Sequence, residues 1–194
     1  MGHNEMLLRR AIDGRRDEVF IAVKFGALRG PDSSFHGLDT RPVAVRNFLT
    51  YSLRRLGTDY IDLYQPCRVD PAVPIEETIG AIADLVKAGY VRHIGISEAS
   101  AASVRRAYAT YPLAALQIEY SIVTRGIEAE MLPAVRELGI SVTAYGVLSR
   151  GLLSGSRPTG PRDSARNCLA SRARITREIR RCWRHCERLP LSKV

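Results

Sequence analysis

The sequence predicts an α/β fold built on a parallel sheet. Short apolar runs without polar alternation recur at 19–23, 60–64, 94–96, 115–118 and 141–144, as expected of parallel strands buried on both faces. Helical periodicities lie between them, so the chain reads α-β-α-β-α-β-α-β-α-β. Strand onsets recur at the spacing of a βα unit, which implies right-handed crossovers. A doubly wound sheet and an arc of a (β/α)8 barrel both meet this pattern, and periodicity does not choose between them. No GxGxxG or GxxxxGK[ST] follows any strand, which argues against a dinucleotide-binding Rossmann unit and a P-loop.

Each element has its own local warrant. Residues 4–13 form a helical pattern ahead of the first strand. In the next helix Val45, Phe48, Leu49, Ser52, Leu53 and Leu56 share one face, and Gly57 ends it. Ile75, Ile79, Ile82 and Val86 line a third helix. Pro74 opens it, Glu76 and Glu77 suit its positive end, and Gly89 closes it. Ser100 can cap a fourth helix through Val104 and Tyr108. Met131, Val135 and Leu138 line a fifth, ended by Gly139.

Composition divides the chain. Its 194 residues and 45% hydrophobic content suffice for a core of one domain, at most two. The net charge is +9, but residues 156–194 carry 11 Lys/Arg against 3 Asp/Glu, so the tail holds most of it. The reading is a domain over 1–155 followed by a basic, disordered Arg/Cys-rich tail over 156–194. Cys168, Cys182, His185 and Cys186 could in principle ligate zinc, but their spacing is not that of a finger, and no metal is expected. The arginines imply nonspecific adhesion to nucleic acid through phosphates, without a recognisable module. No run of about 18 apolar residues is present to span a membrane, and the N-terminus lacks an apolar signal region. The expectation is a cytoplasmic protein with reduced thiols.

Several strand ends match a known family. VFIAVKFG, SLRRLGTDYIDLYQPCRVDPAVPIEETIGAIADLVKAGYVRHIGIS, LQIEYS and AYGVLSRGLLSG resemble the aldo/keto reductases, collinearly over about residues 2–160. GHNEMLLRRAI resembles the segment that follows the family's catalytic tyrosine. The resemblance implies a TIM-type (β/α)8 barrel, incomplete, with about strands three to seven present. It also implies NADPH as cofactor, bound without a Rossmann unit, and reduction of an aldehyde or ketone by hydride transfer. In the family a tyrosine protonates the carbonyl oxygen and a nearby lysine lowers its pKa. An aspartate orients the lysine, and a histidine polarises the substrate. A neighbouring cation is a sound way to bring a phenol toward working pH.

By this resemblance Lys24 takes the lysine's place and Cys67 stands where most members have histidine. A thiol is a poor donor or orienting group there. The tyrosine and aspartate belong to a segment ahead of GHNE. The abrupt change after residue 160 looks like a shifted reading frame, and Met1 looks like initiation inside a longer coding region. Ser97, Glu98 and Gln117 match positions around the nicotinamide carboxamide, although the family often has Asn in place of Glu98. Tyr145 matches the residue that stacks on the nicotinamide ring. Gly146, Leu148, Arg150 and Gly151 match the loop beside the pyrophosphate. Asp62 and Arg68 read as structural, and His36 and His93 as loop and strand-edge residues. The expectation is an oxidoreductase whose catalysis is impaired. The alternatives are a non-catalytic NADPH-binding or regulatory remnant and a basic-tail nucleic-acid binder. An unclosed arc is expected to be marginally stable and to pair through its edges, while the carbonyl substrate and oligomeric state stay open.

Overall fold

A computed structural model describes residues 2–149 and 151. The expectations for the tail, its cysteines and Arg150 lie outside the described residues. The chain divides into two compact units, one of Met1–Ile118 with Glu128–Thr143, the other of Glu119–Ile127 with the segment from Ala144 onward.

In the first unit five helices alternate with the strands: α1 (His3–Ala11), α2 (Pro42–Leu56), α3 (Ile75–Lys87), α4 (Ala101–Thr110) and α5 (Met131–Glu137). The strands are β1 (Ala22–Phe25), β2 (Ala27–Arg29), β3 (Phe35–Leu38), β4 (Ile61–Pro66), β5 (Val91–Ser97), β6 (Ala115–Glu119) and β7 (Ser141–Tyr145). Glu119, Ala144 and Tyr145, at the ends of β6 and β7, belong to the second unit.

The main sheet has the order β1-β4-β5-β6-β7. The pairings of β1 with β4, β4 with β5 and β5 with β6 are parallel. This order resolves the alternative left open by periodicity. A doubly wound sheet reverses its strand order at a switch point; here every crossover advances the same way. The helices pack in the same succession, α1 on α2, α2 on α3, α3 on α4 and α4 on α5. One layer of helices on one face of a one-way sheet is an arc of a (β/α)8 barrel, with five strands among the described residues.

The core lies between that sheet and the helices. Val45, Leu49, Ile79, Ile82, Ile94, Ile96, Val104 and Leu116 are essentially inaccessible to solvent, and each such side chain contributes about 1.5–3 kcal/mol. Tyr64 joins them: its hydroxyl donates to the Val45 carbonyl at 3.0 Å, and its ring stacks on Phe25 with centroids 4.4 Å apart. Strand residues alternate faces, so Tyr64, Ile94, Ile96 and Leu116 look toward the helices, and Lys24, Gln65, Gly95, Ser97 and Gln117 look the other way. That second face would line a barrel's interior.

Several element boundaries differ from the sequence expectation. The first strand starts at Ala22, not at 19, because a 3-10 turn at Arg16–Glu18 precedes it and leaves Phe20 64% exposed. The antiparallel hairpin of β2 and β3 is absent from the sequence reading. Its strands are three and four residues long, too short and too polar to show a period. His36 therefore sits on a hairpin strand, not in a loop. His93 lies within β5, opposite Leu63, with its ring 6.2 Å from that of Phe20.

Asp62 is structural, as expected. Its carboxylate accepts from the Ile21 N–H at 2.8 Å, from Arg16 at 2.7 Å and from Arg92 at 3.2 Å. The two guanidinium carbons lie 4.0 and 3.9 Å from the Tyr60 ring centroid, within cation–π range. This cluster ties the start of β4 to β5 and to the segment before β1. Burial raises the Asp62 pKa, but the Ile21 hydrogen bond and the two arginines outweigh it and hold the carboxyl below its ordinary value.

Candidate active site

The candidate residues of the first unit gather at the carboxyl ends of successive parallel strands, where barrel enzymes keep their chemistry. Lys24 lies opposite Gln65 across β1 and β4. Cys67 leaves β4 one residue after its end, with its N–H bonded to the Phe25 carbonyl at 2.8 Å. Gly26 beside it is required by its conformation and by Thr40: at φ +99° a side chain is strained, and a Cβ would meet the Thr40 methyl at 3.1 Å.

Cys67 is half-buried, and burial pushes its thiol pKa up. The positive charges of Arg68 and Lys24 pull the other way without reversing this. The group is therefore a neutral thiol at neutral pH, neither a nucleophile nor a strong hydrogen-bond donor. Arg68 turns its guanidinium to the Cys67 carbonyl at 2.7 Å, consistent with a structural role.

On β5 and β6, Ser97 pairs in register with Gln117. Ser97 is 1% exposed, and its Oγ has no partner among the described residues. Glu98 follows in the left-handed region at φ +51°, with its N–H bonded to the Gln117 carbonyl at 3.0 Å. Asparagine tolerates that conformation better than glutamate does, so a strand-to-loop turn here favours the residue the family often carries.

The structure adds one residue that sequence reasoning missed. Gln65 is 3% exposed and donates through Nε2 to Gln117 Oε1 at 3.3 Å. Its signal was a second polar side chain, after Asp62, inside a mostly apolar strand, two residues before Cys67 and so on the same face.

The second unit holds the remaining candidates. The Tyr120 N–H bonds the Tyr145 carbonyl at 3.1 Å. Gly146 has φ +68°, and a Cβ there would meet Glu119 Cγ at 3.2 Å. The Ser149 N–H closes a turn on the Gly146 carbonyl at 2.7 Å, and the Gly151 N–H bonds the Leu148 carbonyl at 3.0 Å. Ser121 Oγ accepts from the Val123 and Thr124 N–H groups at 3.3 and 3.1 Å and lies 3.4 Å from the Ser149 hydroxyl. Tyr145 is half-buried, and Leu148 is exposed. No cluster of metal-ligating side chains exists among the described residues.

The sequence model of the Aldo/keto reductase family matches residues 1–187. The chain belongs to the aldo/keto reductase family. It is 47% identical over 155 residues to the probable aldo-keto reductase 1 of Glycine max, covering 78% of this chain and 44% of that one. It is 47% identical over 145 residues to the aldo-keto reductase str7 of Strobilurus tenacellus, covering 73% and 41%. The chain thus spans less than half the length of these curated relatives. Among solved structures, the glycerol dehydrogenase of Gluconobacter oxydans superposes with a TM-score of 0.77 at 31% identity, covering 84% of this chain and 52% of that one. An aldo/keto reductase from Klebsiella pneumoniae, solved with NADP and acetate, superposes with a TM-score of 0.66 at 29% identity, covering 77% and 50%. The family explains the one-way strand order. Among the described residues no helix of this family member is long and apolar enough to cross a membrane.

Proposed function

We propose that this chain contributes the lysine and the nicotinamide-facing residues of an NADPH-dependent carbonyl reductase. The observation that carries the reading is the line of Lys24, Gln65, Ser97 and Gln117 on one face of the sheet, near the carboxyl ends of neighbouring strands. The residues present fit the cofactor's carboxamide. Ser97 keeps a buried hydroxyl oxygen without a partner among the described residues, and Gln117 is half-buried beside it. A buried orphan of this kind costs about 1–3 kcal/mol until something pairs with it. Ser97, Glu98 and Gln117 in the first unit, and Tyr145, Gly146, Leu148, Arg150 and Gly151 in the second, are the cofactor-binding residues of this reading. Bound NADPH would supply the hydride.

Lys24 places a cation at the mouth of the strand ends, where it would lower the pKa of a proton donor and favour developing oxyanion charge. Cys67 weakens the same site, since a neutral thiol cannot polarise a carbonyl as an imidazole does. Catalysis is therefore impaired but not rewired. Oxidation of NADPH by small aldehydes tests this. Lys24→Met should lower the rate by about 10²-fold or more, and Cys67→His should raise it by about tenfold. A rate indifferent to Lys24 would overturn the proposal. The weakness of Cys67 also favours a second reading, a non-catalytic NADPH-binding subunit. Cofactor binding without turnover, before and after Cys67→His, would select it.

A further inference from the structure

Gln65 reaches sideways across the sheet. Its side chain starts on β4, passes over β5 and ends at Gln117 on β6, 3.3 Å away. The crossing is open only because residue 95 is glycine. A Cβ at Gly95 would stand 2.7 Å from Gln65 Oε1, 3.1 Å from Leu63 Cδ1 and 3.2 Å from the Ala115 carbonyl oxygen. At the end of this reach, Gln65 Nε2 donates to the carboxamide oxygen of Gln117. The Gln117 amide also carries an N–H pair. Two acceptors lie on the same face without partners among the described residues, Gln65 Oε1 and Ser97 Oγ. Both belong to side chains at least nine-tenths buried. Donors beside unpaired acceptors complement a primary carboxamide, which has one carbonyl oxygen and one NH2.

We propose that Gln65 is a positioning residue: by holding Gln117 Oε1 it fixes which end of that amide faces the ligand, and with Ser97 it makes the face selective for a primary carboxamide. The inference rests on the reading that Gln117 meets the nicotinamide carboxamide. It extends that reading to a residue in van der Waals range of β5 and gives the site a preference it would otherwise lack.

The experiment uses the full chain and three probes: NADPH, its 3-acetylpyridine analogue, which lacks the amide NH2, and 2′-phospho-ADP-ribose, which lacks the nicotinamide. Affinities are measured for the parent, Gln65→Met and Gln117→Met. Gln65→Met should weaken NADPH by about 3- to 10-fold, the effect of one lost hydrogen bond. It should shrink the preference for NADPH over the acetyl analogue and leave 2′-phospho-ADP-ribose unchanged. If Gln117→Met weakens NADPH and Gln65→Met does not, the inference is overturned and the cofactor reading stands. If Gln65→Met weakens NADPH and 2′-phospho-ADP-ribose alike, the role is general packing, and the inference is again overturned. A parent that binds no NADPH, or a Gln117→Met variant that binds it unchanged, overturns the cofactor reading together with the inference. Should Gln65→Met fail to fold, Gln65→Leu removes the amide without adding a charge, and the same readings apply.

Discussion

Cys67 and Asp62 sit on the same strand path and show how burial acts on two ionisable groups with opposite results. At Cys67 burial outweighs the nearby charges of Arg68 and Lys24 and the backbone hydrogen bonds to its sulfur, so its pKa rises. Alkylation of Cys67 by iodoacetamide, read on its own peptide, should be slow at pH 7 and should accelerate only above the pH at which an ordinary cysteine ionises. A rate at pH 7 equal to that of a free cysteine would show that burial does not raise its pKa. Asp62 is buried too, yet three donors converge on it, and its pKa falls. Its folded value lies below its unfolded value of about 3.9, so its contribution is present above that pH and is lost as the pH falls through the folded pKa. Asp62→Asn should cost up to about 3 kcal/mol at pH 7, because Arg16 keeps a half-matched partner in a partly buried site. The difference from the parent should narrow below pH 4. Chemical denaturation at the two pH values measures both. Asp62 was readable as structural from its place early in an apolar strand, and Cys67 from the surrounding motif. Gln65 was not, because its importance depends on what lies across the sheet.

At the scale of elements, the legible features were those whose cause is local. Ser100 was expected to cap α4, and its Oγ accepts from the Ser103 N–H at 3.1 Å. Ser100→Ala should therefore cost about 1 kcal/mol, read from the denaturation midpoint. Gly57 was expected to stop α2, and it does so at φ +65° with its N–H on the Leu53 carbonyl. The short hairpin of β2 and β3 escaped, since no period can be read from strands of three and four residues. Periodicity left the one-way order of the sheet open, because both candidate folds use the same βα unit; the resemblance to the family implied it, and the strand order bears it out. Gly95 is legible only in the fold. Gly95→Ala should destabilise the chain by about 1–3 kcal/mol through overpacking. The cost should be smaller in a Gln65→Ala background, where the closest obstacle is gone. Equal costs in both backgrounds would mean that Leu63 and the Ala115 carbonyl, not Gln65, set the limit.

For the whole molecule, family membership explains the architecture, and the proposed chemistry depends on whether these strand ends still form a cofactor site. A ligand that binds only the native state stabilises it by about 2.7 kcal/mol at a hundredfold excess over its Kd. For a chain of 194 residues this raises the melting temperature by about 5–10 °C. The most direct test is a thermal melt of the purified chain with and without saturating NADPH, repeated with Gln117→Met. A cofactor site at these strand ends gives a cooperative transition that shifts upward by several degrees with NADPH in the parent and by clearly less in the variant. A melt that does not respond to NADPH, or one that responds equally in Gln117→Met, would contradict it.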